Sequence, residues 1–170
     1  MNERREFLRA VGIGGLAAVV DATLPFRCVF AAGQAEALLL SCMDYRLVDA
    51  TARYMAARGL KNKYDHVILA GASLGATTDK YPDWNKTFWE HLETAIQLHG
   101  IHKVIVVDHR DCGAYKLTLG EDLATNRAKE TTVHTTTLRT LRDQIKAKHG
   151  TLDVELLLMS LDGKVEAVKA

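Results

Sequence analysis

Residues 103–116, KVIVVDHRDCGAYK, constrain this chain more than any other stretch. Residues 104–108 are apolar and rich in β-branched side chains, with no helical period, which predicts a buried strand. The strand runs into Asp108-His109; Cys112 follows, just ahead of Gly113. His109 and Cys112 therefore fall at the carboxyl end of a core strand, where open α/β sheets place their ligands. An imidazole and a thiolate separated by two residues can reach one zinc ion. The chain has 3 cysteines, Cys28, Cys42 and Cys112, too sparse a set for a disulfide framework, so a metal or catalytic use is favoured.

The rest of the sequence gives that strand a context. Further strands are predicted over 37–41, 66–70 and 154–161, and helices over 48–58, 83–98 and 130–148, which stop at Gly59, Gly100 and Gly150. Strands alternating with helices predict an α/β fold, a mostly parallel central sheet flanked by helices. Asp162-Gly163 predicts a two-residue hairpin into a C-terminal antiparallel strand over 165–168. At 170 residues and 48% hydrophobic, the chain can bury one full core. A formal charge of +1, with no run of Lys and Arg, excludes the electrostatic footprint of a nucleic-acid binder.

Cys42 closes the first predicted strand as His109 closes the third. If those strands are neighbours, Cys42, His109 and Cys112 converge. Two thiolates and one neutral imidazole make an uncharged zinc centre with an open fourth position, the form of a catalytic site.

The pairing of C-x-D-x-R (Cys42, Asp44, Arg46) with a downstream H-x-x-C-G (His109, Cys112, Gly113) resembles the β-class carbonic anhydrases. The order of elements is similar too, and the likeness runs over about residues 38–168. The resemblance implies that family's three-layer fold and one zinc per chain on Cys42, His109 and Cys112. It further implies an Asp44–Arg46 catalytic dyad and reversible hydration of carbon dioxide to bicarbonate by zinc-bound hydroxide. A homodimer or higher even oligomer is implied as well. After its second strand the family commonly has Arg-Asn-Ala-Gly, where this chain reads Leu69-Ala70-Gly71-Ala72. Gly71, Ala72, Ser73 and Gly113 are the expected pocket residues, and the altered turn brings in carbonyl sulfide or carbon disulfide as alternative substrates, or a zinc module without turnover.

Residues 1–32 read differently. Arg4-Arg5-Glu6-Phe7-Leu8-Arg9 resembles the twin-arginine export signal, and a weakly apolar, glycine-containing run follows, too short to span a bilayer. The expectation is a cleaved signal peptide over 1–32 that engages the twin-arginine export machinery, and a periplasmic domain over 33–170 without a stable membrane anchor.

One rival comes from Gly71-Ala72-Ser73-Leu74-Gly75, which fits G-x-S-x-G after a predicted strand. A serine hydrolase would use Ser73, with His134 or His149 as base and Asp108 or Asp122 as acid. The chain is short for that fold and has no H-G-G-G-like segment ahead of the serine. The histidines other than His109 are expected to cap helices or face solvent, and Trp84, Phe88 and Trp89 to serve the core or a dimer interface.

Overall fold

The computed structural model describes residues 34–169. The expected signal peptide and Cys28 lie outside them.

Five strands form one sheet in the order β2-β1-β3-β4-β5. β1 (Ala37–Cys42), β2 (Tyr64–Leu69), β3 (Lys103–His109) and β4 (Asp153–Met159) are parallel, and β5 (Val165–Ala167) runs antiparallel to β4. Parallel neighbours need crossovers, and the helices supply them. α1 (Val48–Ala57) links β1 to β2; α2 (Ser73–Thr77) and α3 (Pro82–His99) link β2 to β3; α4 (Gly113–Leu119) and α5 (Arg127–Lys148) link β3 to β4.

The two-residue period of a strand divides the core between the two faces of the sheet. Leu38 and Leu40 of β1, with Val104 and Val106 of β3, pack against Phe88 and Leu92 of α3 and Leu138, Leu141 and Ile145 of α5. Ala37, Leu39, Ile105 and Val107 face the other way, onto Leu47 and Met55 around α1. β3 is buried from Val104 to His109, which is why its sequence is a continuous apolar run rather than an alternation.

Boundaries differ from expectation by a few residues, and three differences have a physical reason. α5 begins at Arg127, ahead of the expected Glu130, because Asn126 caps it: its side chain accepts from the Lys129 amide at 3.0 Å. α2 and α4 are short elements whose residues show no long apolar period, and both follow directly on the ends of strands. The β4–β5 connection is longer than a two-residue turn. The Ser160 amide bonds the Lys164 carbonyl at 2.8 Å, leaving Leu161, Asp162 and Gly163 as the loop, with Gly163 left-handed at φ 82°. Glycine in the left-handed position is the mark of the three-residue hairpin. No helix among the described residues is long and apolar enough to cross a membrane.

Candidate metal centre

β1 and β3 are adjacent and in register, Ser41 opposite Val107, so their carboxyl ends deliver Cys42 and His109 to one place. The turn after β3 returns Cys112 to the same spot. One ligand atom from each of Cys42, His109 and Cys112 lies within 4.8 Å of the others. The two sulfurs are 3.9 Å apart. Sulfurs each about 2.3 Å from a tetrahedral zinc would stand about 3.8 Å apart, so the spacing fits.

The histidine is set up as a ligand by its other nitrogen. His109 Nδ1–H donates to the Arg110 carbonyl at 2.8 Å, an assignment that leaves Nε2 as the lone pair. Nε2 is buried and has no hydrogen-bond partner, an orphan that a metal would satisfy. Cys42 Sγ accepts the Gly71 amide at 3.3 Å, which ties the β2–α2 turn to the centre. The Cys112 thiol beside it, together with His109 and the Gly71 amide, holds the Cys42 thiol far below its usual range against the opposing effect of burial. Cys112 is pushed up by the same contact and by burial.

Asp44 and Arg46 sit at the rim. Arg46 Nε donates to Asp44 Oδ1 at 3.0 Å and Nη2 to Oδ2 at 2.7 Å, a two-pronged fork. The Arg46 guanidinium holds the Asp44 carboxyl down at about 2. Asp44 Oδ2 is 3.8 Å from His109 Nε2, so the carboxylate borders the centre while remaining bound to arginine. Asp111, a residue the sequence reading passed over, takes the far side of the same arginine: Nη1 donates to Asp111 Oδ2 at 2.8 Å. Its only sequence signal is its place inside H-x-x-C.

A cavity of about 250 Å³ opens over the two cysteines, with Asp44, Ala70, Gly113 and Leu117 in its walls. Tyr81 and Trp84 complete it, their rings stacked 4.0 Å apart. Gly113 thus lines the cavity, whereas Trp84 serves its wall rather than the core. Of the other expected pocket residues, Gly71 touches Cys42 through its amide, and Ala72 and Ser73 are fully buried.

Ser73 belongs to a separate buried cluster. Its hydroxyl and amide donate to the Asp108 carboxyl at 2.7 and 3.0 Å, and Tyr115 OH and His134 Nδ1 reach the same carboxyl at 2.6 and 2.9 Å. Asp108 stands between Ser73 and His134, so no imidazole meets the hydroxyl, and burial closes it to a substrate. His149 bonds Glu93, and Asp122 bonds Lys116, both away from Ser73. This arrangement contradicts the serine-hydrolase rival. It also corrects the expectation for His134, which is 1% exposed in the core rather than capping a helix or facing solvent.

A family model described as "Putative carbonic anhydrase" matches residues 32–169. An uncharacterized protein of Rickettsia conorii is 43% identical over 135 residues, 79% of this chain and 73% of that protein. Another, from Rickettsia bellii, is 42% identical over 135 residues, 79% of this chain and 82% of its own length. The β-carbonic anhydrase isoform I of Trichomonas vaginalis superposes with a TM-score of 0.54 at 18% identity, covering 97% of this chain and 92% of that one. For the carbonic anhydrase of Glaciozyma antarctica the TM-score is 0.53 at 16% identity, with 98% and 94% covered. At such identities the two structures speak for the fold alone.

Proposed function

This chain belongs to the carbonic anhydrase family, and on that premise we propose that it hydrates carbon dioxide reversibly to bicarbonate and a proton. The observation that carries the reading is the convergence of Cys42 Sγ, Cys112 Sγ and the unpartnered His109 Nε2 beside a carboxylate already bound by arginine. Cys42, His109 and Cys112 would hold the zinc. Bound there, zinc would lower the pKa of a coordinated water far below its bulk value, to about 7, and so supply a nucleophile at neutral pH. Asp44, kept ionised by Arg46, accepts a hydrogen bond at the open side of the centre and orients the attacking group. The cavity walls of Ala70, Tyr81, Trp84 and Leu117 are mainly apolar, and they suit a small neutral linear substrate better than an anion.

The paired Arg4-Arg5 and the weakly apolar run after them are the ground for proposing further that residues 1–32 are a removable export signal and that the enzyme is periplasmic. The exposed Ile68 on the edge strand β2, with Met43, Tyr45 and Val48 nearby in sequence to β1, supports a homodimer or higher even oligomer.

The test combines metal analysis with stopped-flow carbon dioxide hydration on one preparation. One zinc per chain with fast hydration that a chelator abolishes is the expected result. Zinc without hydration, but with turnover of carbonyl sulfide or carbon disulfide, would transfer the same site to those substrates. Zinc without any of these activities would leave a metal-binding module.

A further inference from the structure

Arg46 is gripped from two sides, and only one grip belongs to the expected dyad. Besides its fork to Asp44, its Nη1 donates to Asp111 Oδ2 at 2.8 Å and its Nη2 to the Asp111 carbonyl at 2.9 Å. An isolated surface ion pair would mean little. Here the partner is itself pinned. Asp111 has φ 55°, the left-handed region that L-residues enter at a cost and that Asp and Asn tolerate best. Its amide donates to Glu130 Oε1 at 2.7 Å, and Glu130 is 3% exposed. The buried Glu130 is balanced by Arg110, whose Nη1 donates to Oε2 at 3.1 Å; Arg110 also reaches Thr131 at 3.0 Å and Glu166 of β5 at 3.1 Å. The Arg110 amide is in turn bound to the Met159 carbonyl at the end of β4.

A continuous set of bonds therefore runs from β4, β5 and α5, through Arg110, Glu130 and Asp111, to Arg46 and Asp44. Without the Asp111 carboxylate, the Arg46 side chain, about a third exposed, would be held by the Asp44 carboxylate it is meant to orient and by a single main-chain carbonyl. We propose that Asp111, held in its left-handed turn by Glu130, is a positioning residue that fixes Arg46 so that Asp44 stays directed at the metal centre. The proposal rests on the function assigned above, since it gives Asp44 its purpose.

Two variants separate backbone from side chain. Asp111→Gly keeps the left-handed turn and deletes the carboxylate; Asp111→Asn keeps an oxygen for Arg46 Nη1. The measurements are zinc content, kcat and KM for carbon dioxide, and the Arg46 Nε–H resonance in arginine-labelled protein, assigned by its loss in Arg46→Lys. In Asp111→Gly, zinc content and KM should hold while the slowly exchanging Arg46 resonance is lost. Its kcat should fall roughly 10- to 100-fold, as for other residues that orient a metal site from outside it. Asp111→Asn should restore most of both. An unchanged Arg46 resonance or an unchanged kcat in Asp111→Gly overturns the proposal. If the wild-type protein itself fails to hydrate carbon dioxide, the proposed function falls, and the Arg46 resonance still decides for or against the clamp.

Discussion

His109 Nδ1–H donates to the main-chain carbonyl of the next residue, Arg110, at 2.8 Å, and that short local bond aims Nε2 at two cysteine sulfurs. The ring cannot turn away without breaking it, so the ligand is oriented before a metal binds. Three ligands at one centre leave none to spare. His109→Ala, Cys42→Ala and Cys112→Ala should each reduce bound zinc from one ion per chain to traces, read by elemental analysis after gel filtration. Stoichiometric zinc in any one of the three breaks the ligand assignment.

The Asp44–Arg46 fork predicts a different phenotype. Asp44→Asn removes the charge that Arg46 holds and the acceptor proposed to orient the nucleophile, but replaces no proposed ligand. Zinc content should stay at the wild-type level while kcat for carbon dioxide falls about a hundredfold, the scale on which a positioned proton acceptor acts. An unchanged rate would remove the dyad from the mechanism.

The N-terminal expectation is tested in cells. With Arg4→Lys and Arg5→Lys together, the paired-arginine signature is lost while the charge is kept. The protein should then be retained in the cytoplasm at its full length, read by fractionation and mass. Unimpaired periplasmic delivery of the double variant would sink the export reading.

Much of this was legible because the informative residues lie on strongly patterned segments. β3 is an unbroken apolar run because it is buried on both faces, and the ligands stand at strand ends, where a local pattern predicts position well. What stayed hidden depends on contacts distant in sequence. Asp111 matters through its bonds to Arg46, 65 residues away, and Glu130, 19 residues away, and no spacing rule links them. His134, named beside Asp108 only through the serine-hydrolase pattern, lies in a helix of weak amphipathic pattern, whose threonines and lysines do not mark one histidine as buried. α2 was missed because a single helical turn is too short to develop a period. Its G-x-S-x-G lettering pointed to a nucleophile where packing had placed a structural serine.

That serine carries its own prediction. Ser73 Oγ donates to a buried carboxyl shared with Tyr115 and His134, so Ser73→Ala leaves Asp108 one bond short. The loss should lower stability by about 1.5–3 kcal/mol, the range for a hydrogen bond to a charged group, measured by urea denaturation. Zinc content should be retained, and a fluorophosphonate probe should fail to label the wild-type protein. Labelling that disappears in Ser73→Ala would restore the hydrolase reading.

Gly75 sets how closely α2 approaches the end of β2. A Cβ there would lie 2.7 Å from the Ala70 carbonyl oxygen and 3.1 Å from Leu69 Cβ. The first contact is with main chain, which cannot rotate away, so Gly75→Ala must push the helix off the strand. Helix propensity alone would favour alanine by about 0.5–1 kcal/mol, yet overpacking of this kind costs about 1–3 kcal/mol, so the sign should be destabilising. The displacement has a direction as well as a cost. The turn between β2 and α2 carries the Gly71 amide that bonds Cys42 Sγ, and Ala70 lines the cavity above it. Gly75→Ala should therefore weaken zinc retention against a competing chelator as well as lower the urea midpoint, while Gly150→Ala, whose nearest neighbour is the Lys146 carbonyl at 3.7 Å, leaves zinc retention unchanged. A Gly75→Ala protein as stable as the wild type would mean that the β2–α2 turn yields freely, and that its close approach does not hold the centre in place.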